Sequence, residues 1–132
     1  MQPALFRRWR RKAGNEEAWF EAGEIAMQVA AAHELATVAV TGRVTVDSSP
    51  HLRSAILDLL RRGSEAALVI DFSAVTYLDM SGIATLLEAL KAAREHTVKL
   101  RLAGMAGDVR SLAEITQLDK IFRTWGSEVE FL

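Results

Sequence analysis

The chain has 132 residues, half of them hydrophobic and a quarter charged, with a net charge of −1. That is the balance of a soluble globular protein, and the length suits one domain with a substantial core. Near-neutral charge gives no global signal for nucleic acid. The absence of cysteine excludes disulfides and thiolate metal sites, and no apolar run approaches the roughly 20 residues that span a bilayer.

The segment 1–22 differs in composition from the rest. Arg7, Arg8, Arg10, Arg11 and Lys12 cluster around Leu5, Phe6 and Trp9, and Glu16 and Glu17 follow. On a helix Leu5, Phe6 and Trp9 would share a face beside the arginines, so peripheral membrane contact through Phe6–Lys12 is one reading. The preferred reading is a solvated basic extension over 1–22, flexible or a short amphipathic helix, ahead of a domain over 23–132. The basic start "MQPALFRRWRRK" leads into "AGNEEAWFEAGE", where a secretory signal would need an apolar stretch, so a cytoplasmic address is expected.

From Glu24 the pattern turns to β. "EIAMQVAAA" sets Ile25, Met27 and Val29 at period two, and "ELATVAVTGRV" is a second strand, with His33 and Glu34 fitting the turn between them. The run "SPHLRSAILDLLRRG", entered through Asp47 and Ser48, predicts a helix. Ser48 or Ser49 caps it, Pro50 suits its first turn, Leu52, Ile56, Leu59 and Leu60 form its apolar stripe, and Gly63 stops it.

"AALVIDFSAV" is a nearly continuous apolar strand of the kind covered on both faces, predicted to end at Asp71 and to be followed by the loop "FSAVTYL". "SGIATLLEALKAAREH" is a second amphipathic helix, "VKLRLAG" a half-exposed strand, and "GDVRSLAEITQLD" a third helix. The tail "IFRTWGSEVEFL" fits either a capping box at Ser127 and Glu130 or a strand alternating Val129 and Phe131. The order β-β-α-β-α-β-α predicts a single α/β domain. Its sheet is mixed, mostly parallel, of four to five strands, with amphipathic helices packed on it.

Catalytic chemistry needs convergent groups, and none stands out. His33, His51 and His96 lack partners at metal-ligand spacing, and there is no G-x-S-x-G elbow, Walker loop or dinucleotide turn. "LAGMAGD" lacks the Lys and Ser/Thr of a phosphate loop. Asp71 and Asp79 read as a turn residue and a helix cap before they read as an acid/base pair. The expectation is no enzyme, no cofactor and no metal. What remains is the start of the second helix, where Asp79, Met80, Ser81 and Gly82 stand at a mouth whose free N–H groups favour a carboxylate cap or a phosphate.

Three stretches resemble the STAS domain family of anti-sigma factor antagonists and sulphate-transporter tails. They are "VTGRVTVD" with the "SSPHLRSAI" that follows it, "LVIDFSAVTYLDMSGIATLLEALKAAR", and "VKLRLAGMAGDVRSLAEITQLDKIF". The resemblance runs from about Ile25 to Phe122. It implies a protein-binding regulatory module that switches partners with an anti-sigma factor or a serine kinase of the ATPase fold. In such members the kinase phosphorylates the Ser or Thr directly after the Asp of the second helix mouth, and the added charge breaks the complex.

Here that position is Met80, which has no oxygen to phosphorylate, so the usual off-switch is expected to be absent. Met80 then offers either a flexible apolar contact for a partner or plain packing. Ser81 is the nearest substitute acceptor. The expected binding loop is Asp79, Met80, Ser81 and Gly82, with Ser48 and Ser49 as a secondary surface, since the resemblance puts the two helix starts on one edge of the sheet. The alternative function is a STAS accessory subunit of a bacterial lipid-transport ABC system, held against its ATPase or permease.

Overall fold

The computed structural model describes residues 6–12, 15–62 and 65–132, with side chains from residue 17 onward. Among these residues seven strands form one sheet: β1 (Phe6–Lys12), β2 (Asn15–Ala22), β3 (Ile25–Ala32), β4 (Leu35–Val44), β5 (Ala67–Leu78), β6 (Lys99–Met105) and β7 (Glu128–Phe131). They lie side by side in chain order, antiparallel from β1 to β4 and parallel from β4 to β7. Four helices make the connections: α1 (Ser49–Arg62) between β4 and β5, α2 (Met80–Glu95) between β5 and β6, and α3 (Gly107–Ile115) with α4 (Leu118–Thr124) between β6 and β7. This is the single mixed α/β domain expected, with more strands than expected.

The surplus strands come from segments whose local signals pointed elsewhere. Phe6–Lys12, expected to be loose or helical, is strand β1 and pairs with β2 along its whole length. The register sets Arg10 opposite Glu17 and Arg11 opposite Glu16, an arrangement of opposite charges that favours strand pairing. β2 buries Ala18, Phe20 and Ala22 at period two, in the same core as β3 and β4. The change of composition at residue 22 is therefore not a break in the sheet. In the tail, α4 and β7 share the segment, and alternation decides it: Val129 and Phe131 turn toward the core while Glu128 and Glu130 face out and pair with Arg101.

β5 also outruns expectation. Asp71 does form a turn, its carboxylate accepting the Ser73 N–H at 2.9 Å, but the turn is a local irregularity inside the strand. The ladder with β4 shifts register there and again near Gly42, then continues through Arg43 opposite Tyr77 and Val44 opposite Leu78. Bulges of this kind bend a strand without ending it, and they re-aim the residues beyond. The consequence is that β5 delivers the start of α2 directly beside the end of β4.

The core lies between the sheet and the helices, with Val109 and Ala113 of α3 and Leu118 and Phe122 of α4 part of it. Leu52, Ile56, Leu59 and Leu60 of α1 and Ile83, Leu86, Ala89 and Leu90 of α2 are buried there with Val38, Val40, Ile70, Phe72, Leu100 and Leu102 of the strands. Each large side chain contributes about 1.5–3 kcal/mol against exposure. The predicted stop of α1 at Gly63 lies outside the described residues. The predicted third helix is two, broken at Gln117, which takes a left-handed φ of 58°. Trp125, just beyond α4, carries the Arg94 guanidinium over its ring at 4.5 Å, pinning the end of α4 to the end of α2.

Candidate partner-binding site

The ends of β4 and β5 are adjacent strand termini, and the chain turns there into α1 and α2 respectively. One backbone bond ties the two turns together: the Asp79 N–H donates to the Val44 carbonyl at 3.1 Å. Asp79 has extended backbone (φ −109°, ψ −175°) and stands at the N-cap of α2. Its Oδ1 accepts the Ser81 N–H at 2.9 Å, the Gly82 N–H at 3.3 Å and the Ser81 hydroxyl. The Val46 amide, across on the β4–α1 turn, also favours the charged form of this carboxylate.

These bonds decide the electrostatics. Partial desolvation pushes the Asp79 carboxyl upward. The Ser81 hydroxyl and the Gly82, Ser81 and Val46 amides together outweigh it and hold the group below the usual carboxylate range. The helix dipole acts in the same direction. The two amides best placed to grip a phosphate at this helix mouth, those of Ser81 and Gly82, are already occupied by the protein's own carboxylate. Of the two readings of the mouth, the structure realises the cap.

Around that cap the predicted residues divide. Met80 is the first residue of α2 and is 59% exposed, outside the core. Ser81 is half-buried, with its hydroxyl committed to Asp79. Gly82 is buried rather than presented. A Cβ there would overlap the Leu78 side chain and touch Val44 Cγ1 at 3.0 Å, so glycine lets α2 sit against the two strand ends.

Ser48 and Ser49, expected as a secondary surface, are 1% and 5% exposed and belong to the interior. The Ser48 hydroxyl accepts from the Thr45 N–H at 2.8 Å and donates to the Arg43 carbonyl at 2.6 Å. It therefore braces the β4–α1 turn instead of facing a partner. Both hydroxyl-bearing residues follow a turn that curls back on itself, a geometry that one-dimensional spacing does not reveal.

The exposed part of that turn is Val46, 68% exposed, with Asp47 beside it. Sequence reasoning passed over Val46, although an apolar residue between Thr45 and Asp47 is unusual in a polar turn. Tyr77 was also missed. Its exposed ring lies under the Arg43 guanidinium at 4.3 Å, and Arg43 reaches Glu24 at 3.7 Å. The site is thus an apolar pair, Val46 and Met80, flanking a capped carboxylate, with a cation–aromatic pair at the same end of β4 and β5. Among the described residues no cluster of His, Asp and Glu could hold a metal ion, and no helix is long and apolar enough to cross a membrane.

The profile of the STAS domain family matches residues 26–131. The chain belongs to the STAS domain family. A similar solved structure is an anti-sigma factor antagonist from Mycobacterium paratuberculosis, 27% identical, with a TM-score of 0.69 over 77% of this chain and 86% of that one. The Bacillus cell fate determinant SpoIIAA in its phosphorylated form shares the fold at 14% identity, with a TM-score of 0.61 over 80% of this chain and 90% of that one. The STAS fold also occurs within a larger protein, the murine Slc26a9 anion transporter. That match has 16% identity and a TM-score of 0.63, covering 74% of this chain but 16% of the transporter. The family match begins within β3, so β1 and β2 are strands that this STAS domain carries ahead of the matched region.

Proposed function

We propose that this STAS domain is a cytoplasmic, non-enzymatic partner-switching module of a bacterial transcription-control system. It docks an anti-sigma factor or ATPase-fold serine kinase through the surface formed by Val46, Asp79 and Met80. The observation that carries this reading is Met80, a large apolar side chain standing in solvent at the helix mouth. A thioether held mostly in solvent at the start of α2 lies outside the core, and flexible methionines suit protein-binding surfaces. The likeness to the mycobacterial anti-sigma factor antagonist, over most of both chains, supports the class of partner.

Residue 80 offers no hydroxyl, and the neighbouring Ser81 hydroxyl is engaged by Asp79. The module is therefore not released by phosphorylation at this mouth. The lipid-transport alternative is not favoured. Its sequence support was the basic segment Phe6–Lys12, which is a strand of the sheet, paired along its length with β2.

The test is binding of the purified full chain to each ATPase-fold anti-sigma factor of its host, by titration calorimetry, with and without ATP and magnesium. The expected result is one tight complex that ATP does not dissolve, with no phosphate on the STAS chain by intact-mass measurement. Binding to none of them, or phosphate incorporation that dissolves the complex, would refute the proposal.

A further inference from the structure

The chain contains no cysteine, so methionine sulfur is its most oxidisable side-chain group. The methionines with described side chains are Met27, Met80 and Met105. Met27 is 1% exposed and Met105 0%, both inside the core, whereas Met80 stands in solvent at the helix mouth. An oxidant in solution meets one of these three sulfurs and is shielded from the other two until the domain unfolds.

We propose that Met80 is an oxidative switch at the docking surface, converted by hydrogen peroxide to methionine sulfoxide, which releases the partner. This rests on the docking reading given above. In the reaction a sulfur lone pair attacks one peroxide oxygen and forms the S–O bond as the O–O bond breaks. The departing hydroxide takes the proton from the transferred oxygen, leaving sulfoxide and water. Sulfur gives up two electrons and the peroxide gains two. Two thiols of a reductase return the electrons, yielding the thioether, a disulfide and water.

The geometry explains why the product would block docking while leaving the fold intact. Met80 lies outside the core, and the cap belongs to Asp79, so the added oxygen displaces no packed atom. The new S=O is a strong acceptor. Of the neighbouring donors, the Ser81 and Gly82 amides and the Ser81 hydroxyl are bound to Asp79, and the Asp79 N–H to the Val44 carbonyl. The sulfoxide oxygen is left to water, and a partner that covers it must strip that water without replacing the bond. An apolar contact becomes a polar one with an unmet acceptor.

The full-length protein would be treated with millimolar hydrogen peroxide and digested, and its peptides weighed over time. The Met80 peptide is expected to gain one oxygen at least tenfold faster than the Met27 and Met105 peptides, with far-ultraviolet circular dichroism unchanged. The anti-sigma factor bound by the untreated chain then serves as probe. Its Kd is expected to rise at least tenfold after oxidation and to return after methionine sulfoxide reductase. Met80→Leu, whatever its own affinity, is expected to give the same Kd before and after peroxide.

Equal oxidation rates for the three methionines would overturn the proposal. So would an unchanged Kd once Met80 carries the oxygen, or a peroxide response retained in Met80→Leu. If the untreated chain binds no anti-sigma factor, the docking reading itself has failed and the switch falls with it. If the untreated chain binds and the oxidised chain binds equally well, only the switch has failed.

Discussion

Replacing Asp79 with alanine separates the two roles that meet at the helix mouth. The Asp79 carboxylate satisfies the Ser81 and Gly82 amides of the first turn, and removing such a cap costs about 1 kcal/mol. The Ser81 hydroxyl can rotate to water, so its loss adds little. Asp79→Ala is therefore expected to destabilise the domain by about 1 kcal/mol, with Asp79→Asn, which keeps one acceptor oxygen, falling between it and the wild type. Urea unfolding followed by tryptophan fluorescence measures both.

The pH dependence has a definite sign. The folded-state pKa of Asp79 lies below its unfolded value, so its ionic contribution is fully present above the unfolded value and is lost as pH falls through the folded one. The stability gap between wild type and Asp79→Asn should thus be constant at neutral pH and shrink below about pH 4. A loss under about 0.5 kcal/mol in Asp79→Ala, below the range for removing a cap, or a gap that widens in acid, would refute this account of the mouth.

Other substitutions probe neighbouring elements. Gly82→Ala forces a methyl group into Leu78 and Val44 and should cost about 1–3 kcal/mol, seen as a lower urea midpoint at unchanged slope. Ser48→Ala leaves the Thr45 amide without its acceptor in a buried turn and should cost about 1–3 kcal/mol by the same assay. Phe20→Ala should cost about 3–5 kcal/mol if β2 shares the core, whereas an independent extension would lose nothing measurable. Met80→Lys should leave thermal stability within about 0.5 kcal/mol, as exposed positions do, while weakening the complex with an anti-sigma factor in calorimetry.

What the sequence made legible follows from the range of each signal. The β3–β4 hairpin, α1, α2 and β6 were readable because their apolar periods are local and long enough to repeat. β1 was not, because five cations around two aromatic residues carry no strand period of their own; its partner β2 supplies the reason for the strand. The loop assigned after Asp71 was a turn signal read correctly and placed wrongly, since a bulge uses the same Asp-x-Ser chemistry within a strand whose ladder with β4 shifts register there and then continues.

At the second helix mouth, the cap at Asp79 and the helix start beside it were legible because a helix start is a local event. Ser48 and Ser49 were misplaced, and Val46 and Tyr77 missed, because burial at a turn depends on which way the chain curls after the strand ends. That is settled by bonds such as Ser48 to Arg43, which span several residues.

The same division accounts for the freedom at residue 80. Asp79 caps the helix through bonds to residues 81 and 82, and Gly82 gives α2 its close seat on Val44 and Leu78. The structural demands at the mouth are met by residues other than 80, whose side chain stands mostly in solvent. A position relieved of structural duty yet fixed in place by its neighbours can exchange one surface chemistry for another without disturbing the fold. On the proposed reading a hydroxyl there would serve a kinase, whereas a thioether serves an apolar contact whose chemistry changes by oxidation and reduction. On the docking and switch proposed above, the identity of residue 80 sets how the domain is controlled, while Asp79 and Gly82 hold that position in place.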